Sequence, residues 1–384
     1  MPVYILSGAR TANGAFMGKL STTPAPRLGA FAINGALEKA KLSSEQIDEV
    51  FMGNVIEAGV GQAPARQAAI FAGLSNSIPC TTVNKICGSG MKTIIMGVQS
   101  ILAGDNQTVI AGGMENMSLA PHLIPNSRTG IKFGNGILID SMSHDGLHDV
   151  YSNRAMGNCA EECSKKYNFS REAQDEFAKE SYLRSQKAVK DGTFAREITP
   201  VLVSSRKGDI LIDEDEGPFM ANFDKMGSLR PAFEKGGTIT AANASTINDG
   251  AAAVILCNNP ENAKFEIIAH AMHAQDPTWF TTAPVSAMKK CLTKAKMTLD
   301  QISLFEINEA FAVVTMATVK DLNLDPKKVN IYGGAVSLGH PIGQSGTRIV
   351  VTLMNAMESE NQEFGMASIC IGGGEALAMI LRKC

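Results

Sequence analysis

Cys80-Thr81-Thr82-Val83-Asn84-Lys85-Ile86-Cys87-Gly88-Ser89-Gly90-Met91-Lys92-Thr93-Ile94-Ile95-Met96-Gly97 is the stretch from which the rest of the chain is read. Thr81-Thr82-Val83 reads as the end of a buried strand and Gly88-Ser89-Gly90 as a tight turn. Met91, Ile94, Ile95 and Val98 then recur at helical spacing, which puts Cys87 at a strand-to-helix junction. A thiol there faces unpaired backbone N–H groups and the positive end of a helix dipole, both of which favour thiolate. Its small neighbours allow a substrate carbonyl to approach the backbone closely. The same letters also describe an inert buried cysteine before a Gly-rich helix start, and this stretch alone leaves both readings open.

The far end of the chain separates them. It carries Asn308-Glu309-Ala310-Phe311, then Gly333-Gly334-Ala335-Val336-Ser337-Leu338-Gly339-His340-Pro341-Ile342-Gly343, then Cys370-Ile371-Gly372-Gly373-Gly374. A nucleophilic cysteine, a Gly-flanked histidine and a second Gly-flanked cysteine are the groups thiol-based acyl transfer requires. Together with Val83 to Gly90, these stretches resemble the thiolases, specifically the biosynthetic acetoacetyl-CoA branch. The resemblance extends from Ser7-Gly8-Ala9-Arg10-Thr11 to the terminal strand.

Bulk properties set limits. The chain has 384 residues, 45% hydrophobic and 19% charged, which suits a globular protein with more than one core. A net charge of −3 offers no footprint for nucleic acid or anionic lipid, so an anionic ligand must be met by local basic groups. No run approaches ~18 apolar residues, so no membrane span is expected. The opening MPVYILSGAR has no basic leader, and a cytoplasmic protein is expected. Eight cysteines without a CxxC pair suit free thiols in a reducing compartment, and Cys159 and Cys163 read as packing residues.

Strands alternate with helices, which implies a layered α/β architecture. Glu45 to Val50 echoes Asp300 to Phe305, and Val109 to Glu115 echoes Ile369 to Glu375. Between each pair lies a Gly-rich junction, one holding Cys87 and the other His340. Three echoes in order imply a duplicated domain in which Cys87 and His340 occupy equivalent places. The expected division is an N-terminal core of residues 1–118 plus 247–263, an inserted loop domain at 119–246 and a C-terminal core at 264–384. The resemblance implies the thiolase-like duplicated αβαβα core, with the loop domain covering CoA. Within the loop domain, the acidic stretch from Lys207 to Glu216 reads as turn-rich.

The resemblance also assigns roles. Cys87 would form the acyl-enzyme. His340 would help deprotonate it and donate toward the thioester oxygen. Cys370 would move the α-carbon proton of acetyl-CoA, a task suited to a thiol's pKa. Asn308, whose position otherwise suggests a helix cap, would hold a water that stabilises the enolate, and Glu309 would support this geometry. The amides of Cys87 and Gly372, with His340, would form the oxyanion hole. Ser245, Met156, Phe280 and Phe311 are the expected substrate-binding residues. His144 and His148 sit in a family loop that needs no metal, so neither metal nor cofactor is expected; CoA thioesters are the substrates.

Three departures from relatives stand out. Ala155 replaces a histidine near the pantetheine, Phe219 falls near a position often basic, and Phe280 stands near a usual methionine. Arg206 and Lys207 are candidate substitutes for the missing phosphate contact. The expected activity is acetyl-CoA C-acetyltransfer, joining two acetyl-CoA to acetoacetyl-CoA and CoA, in a homodimer or homotetramer. Two alternatives stay open, a 3-ketoacyl-CoA thiolase for longer chains and a degenerate CoA-binding protein of the same fold, whereas Gly339-His340-Pro341-Ile342-Gly343 and Cys370-Ile371-Gly372-Gly373-Gly374 count against a carrier-protein-dependent condensing synthase that shares it.

Overall fold

The apolar run at Tyr4 becomes the first strand in the computed structural model, which describes residues 2–205 and 208–384. The first half lays down β1 (Tyr4–Arg10), β2 (Gly14–Ala15), α1 (Ala25–Ala40), β3 (Glu49–Gly53), α2 (Pro64–Phe71), β4 (Cys80–Val83), α3 (Ser89–Ala103) and β5 (Thr108–Asn116). A segment off the main sheet follows. It holds the two-residue pairs β6 (His122–Leu123) with β7 (Ile139–Asp140) and β8 (His148–Asp149) with β9 (Arg154–Ala155). Its helices are α4 (Met156–Tyr167), α5 (Arg171–Lys190) and the one-turn α6 (Phe223–Met226), with the hairpin β10 (Val201–Ser205) and β11 (Gly208–Ile212) between the last two. The chain re-enters the sheet as β12 (Asn248–Cys257) and β13 (Phe265–Ala274). It finishes with α7 (Ala283–Ala295), β14 (Leu304–Ile307), α8 (Ala312–Leu322), α9 (Ala335–Leu338), α10 (Ile342–Ser359), β15 (Phe364–Ile371) and β16 (Glu375–Lys383).

The ten-stranded sheet has the order β14-β15-β16-β13-β1-β12-β5-β3-β4, with β2 paired to β12. Its halves repeat one pattern. β3 is parallel to β5, which is antiparallel to β12; β14 is parallel to β15, which is antiparallel to β16. The lead-ins match too: a capping box joins Ser43 and Gln46 before β3, and another joins Thr298 and Gln301 before β14. The strand echo runs in a different register from the letters. Val50 pairs with Ile110 and Phe305 with Met366, so Met366, not Cys370, is the counterpart of Ile110. Repeated small and apolar residues let the letters slide along the strand.

Between the halves, the sheet is joined narrowly, through Tyr4–Glu266 and Ile5–Phe265. The broader join is helical: α10 touches strands of both halves, and α3 lies against it. Every residue from Ile342 to Met357 is buried, the condition of a helix enclosed on all sides. Two glycines set the approach. A Cβ on Gly90 would stand 2.6 Å from Thr347 Oγ1, and one on Gly346 would stand 2.4 Å from the Met91 nitrogen. Backbone therefore meets backbone where the helices cross. α1 and α2 cover the outer face of the first half and α7 that of the second, completing five αβαβα layers. By length and composition Ile86–Ala103 is apolar enough to cross a membrane, yet it is packed here as a core helix.

Two local expectations are corrected. β4 is not a buried strand but the half-exposed edge of the sheet, because among the described residues no strand pairs with its outer side. Gly208–Ile212, expected as part of a turn-rich stretch, is the second strand of the β10–β11 hairpin. The acidic residues after it are partly structural. Buried Arg10 donates from Nε to Glu197 (2.6 Å) and from Nη1 and Nη2 to Asp215 (2.7 and 2.8 Å). This fork ties the inserted segment to β1. Arg206 and Lys207, the candidate phosphate contacts, lie outside the described residues.

Candidate active site

Cys87 sits on a strained turn. Ile86 before it has φ +46°, which a β-branched residue rarely adopts. The turn is braced from both sides: Asn84 Oδ1 accepts from the Ile86 amide, and Ser89 Oγ accepts from the Lys85 amide while donating to the Ile86 carbonyl. Gly88 is needed for approach, since a Cβ there would meet Ile371 Cδ1 at 2.4 Å. That contact lays the end of β15 against the cysteine turn, and Lys85 Nζ bridges to Glu375 at 2.5 Å across the same gap. The Gly372 N–H is thereby aimed at the Cys87 thiol.

The expected drift toward thiolate is not found. Burial pushes the Cys87 thiol up to about 11, against the opposing pull of the Gly372 and Cys87 N–H groups. The amides of Gly88 and Ser89 bond to Lys85 and Ile86 carbonyls, so the turn spends those donors on itself.

His340 enters from the other half. Gly339 has φ +90°, and a Cβ there would collide with Asn248 Oδ1; the same Asn248 oxygen accepts from the His340 amide at 3.2 Å. Pro341 then leads into α10. His340 Nδ1 lies 2.6 Å from Ser345 Oγ, whose own hydrogen goes to the Pro341 carbonyl at 2.8 Å. A hydroxyl has one hydrogen, so Ser345 must accept from Nδ1–H. Nε2 is left as an unpartnered, buried acceptor. Burial, with the Arg348 charge second, pushes the imidazole down to about 3. Resting Cys87 and His340 are thus a neutral thiol and a neutral base.

Cys370, next to the end of β15, is buried. Burial raises its thiol well above the ordinary value, and the proximity of Cys87 adds to the effect. Asn308 follows β14 and caps no helix, since Phe311 holds the N-cap place of α8. Its side-chain oxygen and nitrogen are both buried without a partner, a costly state that a bound polar group would relieve. Glu309 faces elsewhere. Its carboxylate accepts from Ser181 Oγ (2.8 Å), Asn330 Nδ2 (2.8 Å) and the Val336 amide (3.1 Å), fixing the short helix that leads to His340.

A cavity of about 600 Å³ opens onto part of this constellation, while Asn308, Glu309 and Cys370 are buried and not among its lining residues. Cys87, His340 and Gly372 line it, as do Ser245, Met156, Phe280 and Phe311. Phe311 is central to one wall, with Phe280 and Phe233 edge-on to it at 6.3 and 6.0 Å. Ala155 lines the cavity; Phe219 does not, lying half-exposed outside while its neighbour Met220 contributes to the wall. Among the described residues, no lining side chain is an acid, a lysine or an arginine. His148 Nε2 pairs with Asn153 at 3.0 Å, and the described residues contain no cluster of three His, Cys, Asp or Glu able to hold a metal.

Residues 3–260 match the thiolase N-terminal domain and residues 261–383 the thiolase C-terminal domain. The chain belongs to the thiolase family. Its relatives include acetyl-CoA acetyltransferase of Schizosaccharomyces pombe, 46% identical over 99% of this chain and 98% of that protein. The mitochondrial acetyl-CoA acetyltransferase of Rattus norvegicus is 49% identical over 99% of this chain and 91% of its own. The crystal structure of Acat5 thiolase from Ascaris suum in complex with coenzyme A superposes with a TM-score of 0.95, at 44% identity and full coverage of both chains.

In this thiolase several site residues escaped the sequence reading. Ser345 stands within the signature around His340, yet its role depends on a hydrogen bond across one helical turn. Asn248 and Phe233 lie far along the chain in unremarkable surroundings, and only the tertiary fold brings them to the cavity.

Proposed function

We propose that this thiolase joins two acetyl-CoA molecules to acetoacetyl-CoA and CoA, reversibly, through an acetyl thioester on Cys87. The observation that carries the reading is the free Nε2 of buried, neutral His340 in the same cavity as the Cys87 thiol and the Gly372 N–H. Relatives 46–49% identical over nearly the whole chain bear the name acetyl-CoA acetyltransferase.

As the Cys87 sulfur attacks the thioester carbonyl, Nε2 takes its proton, and the Cys87 and Gly372 amides receive the oxyanion. CoA leaves as a thiol, reprotonated by His340. Neutral His340 Nε2 then takes the Cys370 proton, and the Cys370 thiolate removes an α-proton from a second acetyl-CoA while the imidazolium and a water held by Asn308 stabilise the enolate oxygen. The carbanion attacks acetyl-Cys87, the C–C bond forms, and Cys87 leaves as a thiolate that takes its proton back from His340. Intact mass after mixing with acetyl-CoA should show one acetyl group, mapped to Cys87 and absent from Cys87→Ser. An acetyl group on another cysteine would overturn the assignment.

The aromatic wall of Phe280, Phe311 and Phe233 supports a short acyl chain over a long one. A series of 3-ketoacyl-CoA substrates tests this, and equal kcat/KM for long and short chains would sink it. With Phe219 in place of a basic residue and an uncharged cavity lining, recognition rests on the pantetheine arm. KM for dephospho-CoA should stay within about threefold of that for CoA, far below the worth of a charge-assisted phosphate contact. Assembly as a homo-oligomer is supported by the open edge of β4 and by exposed Phe133, Ile137, Leu138 and Tyr151. A monomer in analytical ultracentrifugation would refute it.

A further inference from the structure

A second concavity, sharing no residue with the first, has the opposite character. This groove of about 670 Å³ runs between the C-terminal part of α5, the turn after it, the turn Pro326–Lys328 and the end of α10. Five cationic side chains line it: Arg184, Lys187, Arg196, Lys327 and Lys328. Only two carboxylates, Asp191 and Glu360, oppose them. On a chain of net charge −3 this is a strong local reversal of sign.

The cations differ in freedom. Lys187 has a loose contact to Asp191 at 3.8 Å, and Arg196 Nη1 donates to Ser359 Oγ at 3.0 Å. Lys327 and Lys328 are exposed, with no carboxylate within 4 Å among the described residues. Arg184 is anchored, bonded from Nε to Glu180 and from Nη1 to the Val329 carbonyl at 2.7 Å. Half-buried Tyr332 and Ile331 supply an apolar side. The volume suits a small molecule rather than a chain. The two carboxylates count against an extended polyanion such as nucleic acid or an anionic membrane.

The groove wall is also wired to the catalytic scaffold. Arg184 holds the carbonyls of Val329 and Asn330; Asn330 Nδ2 donates to Glu309; Glu309 accepts from Val336 at the start of the turn leading to His340. Ser181, one turn before Arg184 on α5, donates to the same carboxylate. A ligand held by Lys327 and Lys328 pulls on the turn that runs into Val329 and Asn330, whose carbonyls Arg184 clamps, and so acts on groups that position His340.

We propose that this groove binds a small organic polyphosphate of the nucleoside diphosphate class, its phosphates among Lys327, Lys328, Lys187 and Arg196 and its ring against Tyr332, and that occupancy alters turnover. Isothermal titration of the full-length protein with adenosine diphosphate should show saturable binding, displaced by inorganic pyrophosphate and not matched by adenosine. The exposed double variant Lys327→Glu/Lys328→Glu should lose at least about tenfold in affinity for adenosine diphosphate while KM for acetyl-CoA is unchanged; charge-assisted contacts to phosphate justify that size. The milder Lys327→Gln/Lys328→Gln pair should fall between. No binding at millimolar adenosine diphosphate, equal binding of adenosine, or affinity indifferent to both double variants would overturn the site. At saturating acetyl-CoA, adenosine diphosphate should change kcat at least twofold in the wild type and not in the glutamate variant. A kcat that does not move would overturn the coupling.

Discussion

Ser345 Oγ stands 2.6 Å from Nδ1 of His340 and hands its own hydrogen to the Pro341 carbonyl. The pair therefore decides which nitrogen of the imidazole is basic. A helix beginning at Ile342 places Ser345 beneath the ring, so the proline, the helix start and the tautomer form one arrangement. Ser345→Ala keeps the helix but leaves Nδ1–H without its acceptor. It should lower kcat by about tenfold or more, part of the worth of a positioned base, with melting temperature nearly unchanged. Ser345→Thr, which retains the hydroxyl, should recover much of the rate. Equal loss in both variants would mean that packing, not the hydrogen bond, matters.

The same burial that frees Nε2 keeps Cys87 protonated. A thiol pushed up to about 11 is almost entirely neutral at pH 7, and an imidazole pushed down to about 3 cannot hold its proton there. Raising the thiol pKa means less thiolate at any pH below it. Alkylation of Cys87 by iodoacetamide should therefore climb about tenfold per pH unit from 7 to 9. A plateau in that range would reveal a resting thiolate–imidazolium pair.

Cys370→Ala should divide the reaction. Acetylation of Cys87, and label exchange between acetyl-CoA and CoA, need Cys87, His340 and the oxyanion donors, none of which is the Cys370 side chain. Condensation needs the α-proton removed and should fall by about a hundredfold or more. Parallel loss of both activities would make Cys370 a support for the Gly372 turn.

Gly346→Ala inserts a methyl group 2.4 Å from the Met91 nitrogen, against backbone that cannot swing aside. Stability should drop by about 1–3 kcal/mol in urea unfolding. The crossing also sets the spacing of the Cys87 and His340 turns, so kcat should fall further than stability alone explains, in protein that remains folded. An alanine variant with normal kcat would show that the crossing has slack.

Much of this was legible because it is local. The Cys87 and His340 junctions read as Gly-rich turns entering apolar helices, and each does introduce its helix. The charge states of Cys87 and His340 were not legible, since helix-end amides can be inferred from letters whereas depth of burial cannot. Nor were Asn248, Ser345 and Phe233, whose neighbours in the site are far along the chain or one turn along a helix. β4 read as interior because its letters are apolar and β-branched; what makes it an edge is a missing partner, and no strand carries that in its own sequence. The slip between Cys370 and Met366 has a similar origin, because register is set across strands.

The narrow edge between β1 and β13, beside the broad contact of α3 with α10, makes the catalytic centre an interface folded into one polypeptide. Cys87 arrives from one quasi-subunit and His340 from the other, as in a heterodimer whose partners are tethered between Cys257 and Phe265. Such an arrangement divides tolerance to change along the layers. Outer helices such as α1 and α7 can drift with their own half, whereas Gly90, Met91, Gly346 and Thr347 must change together or not at all.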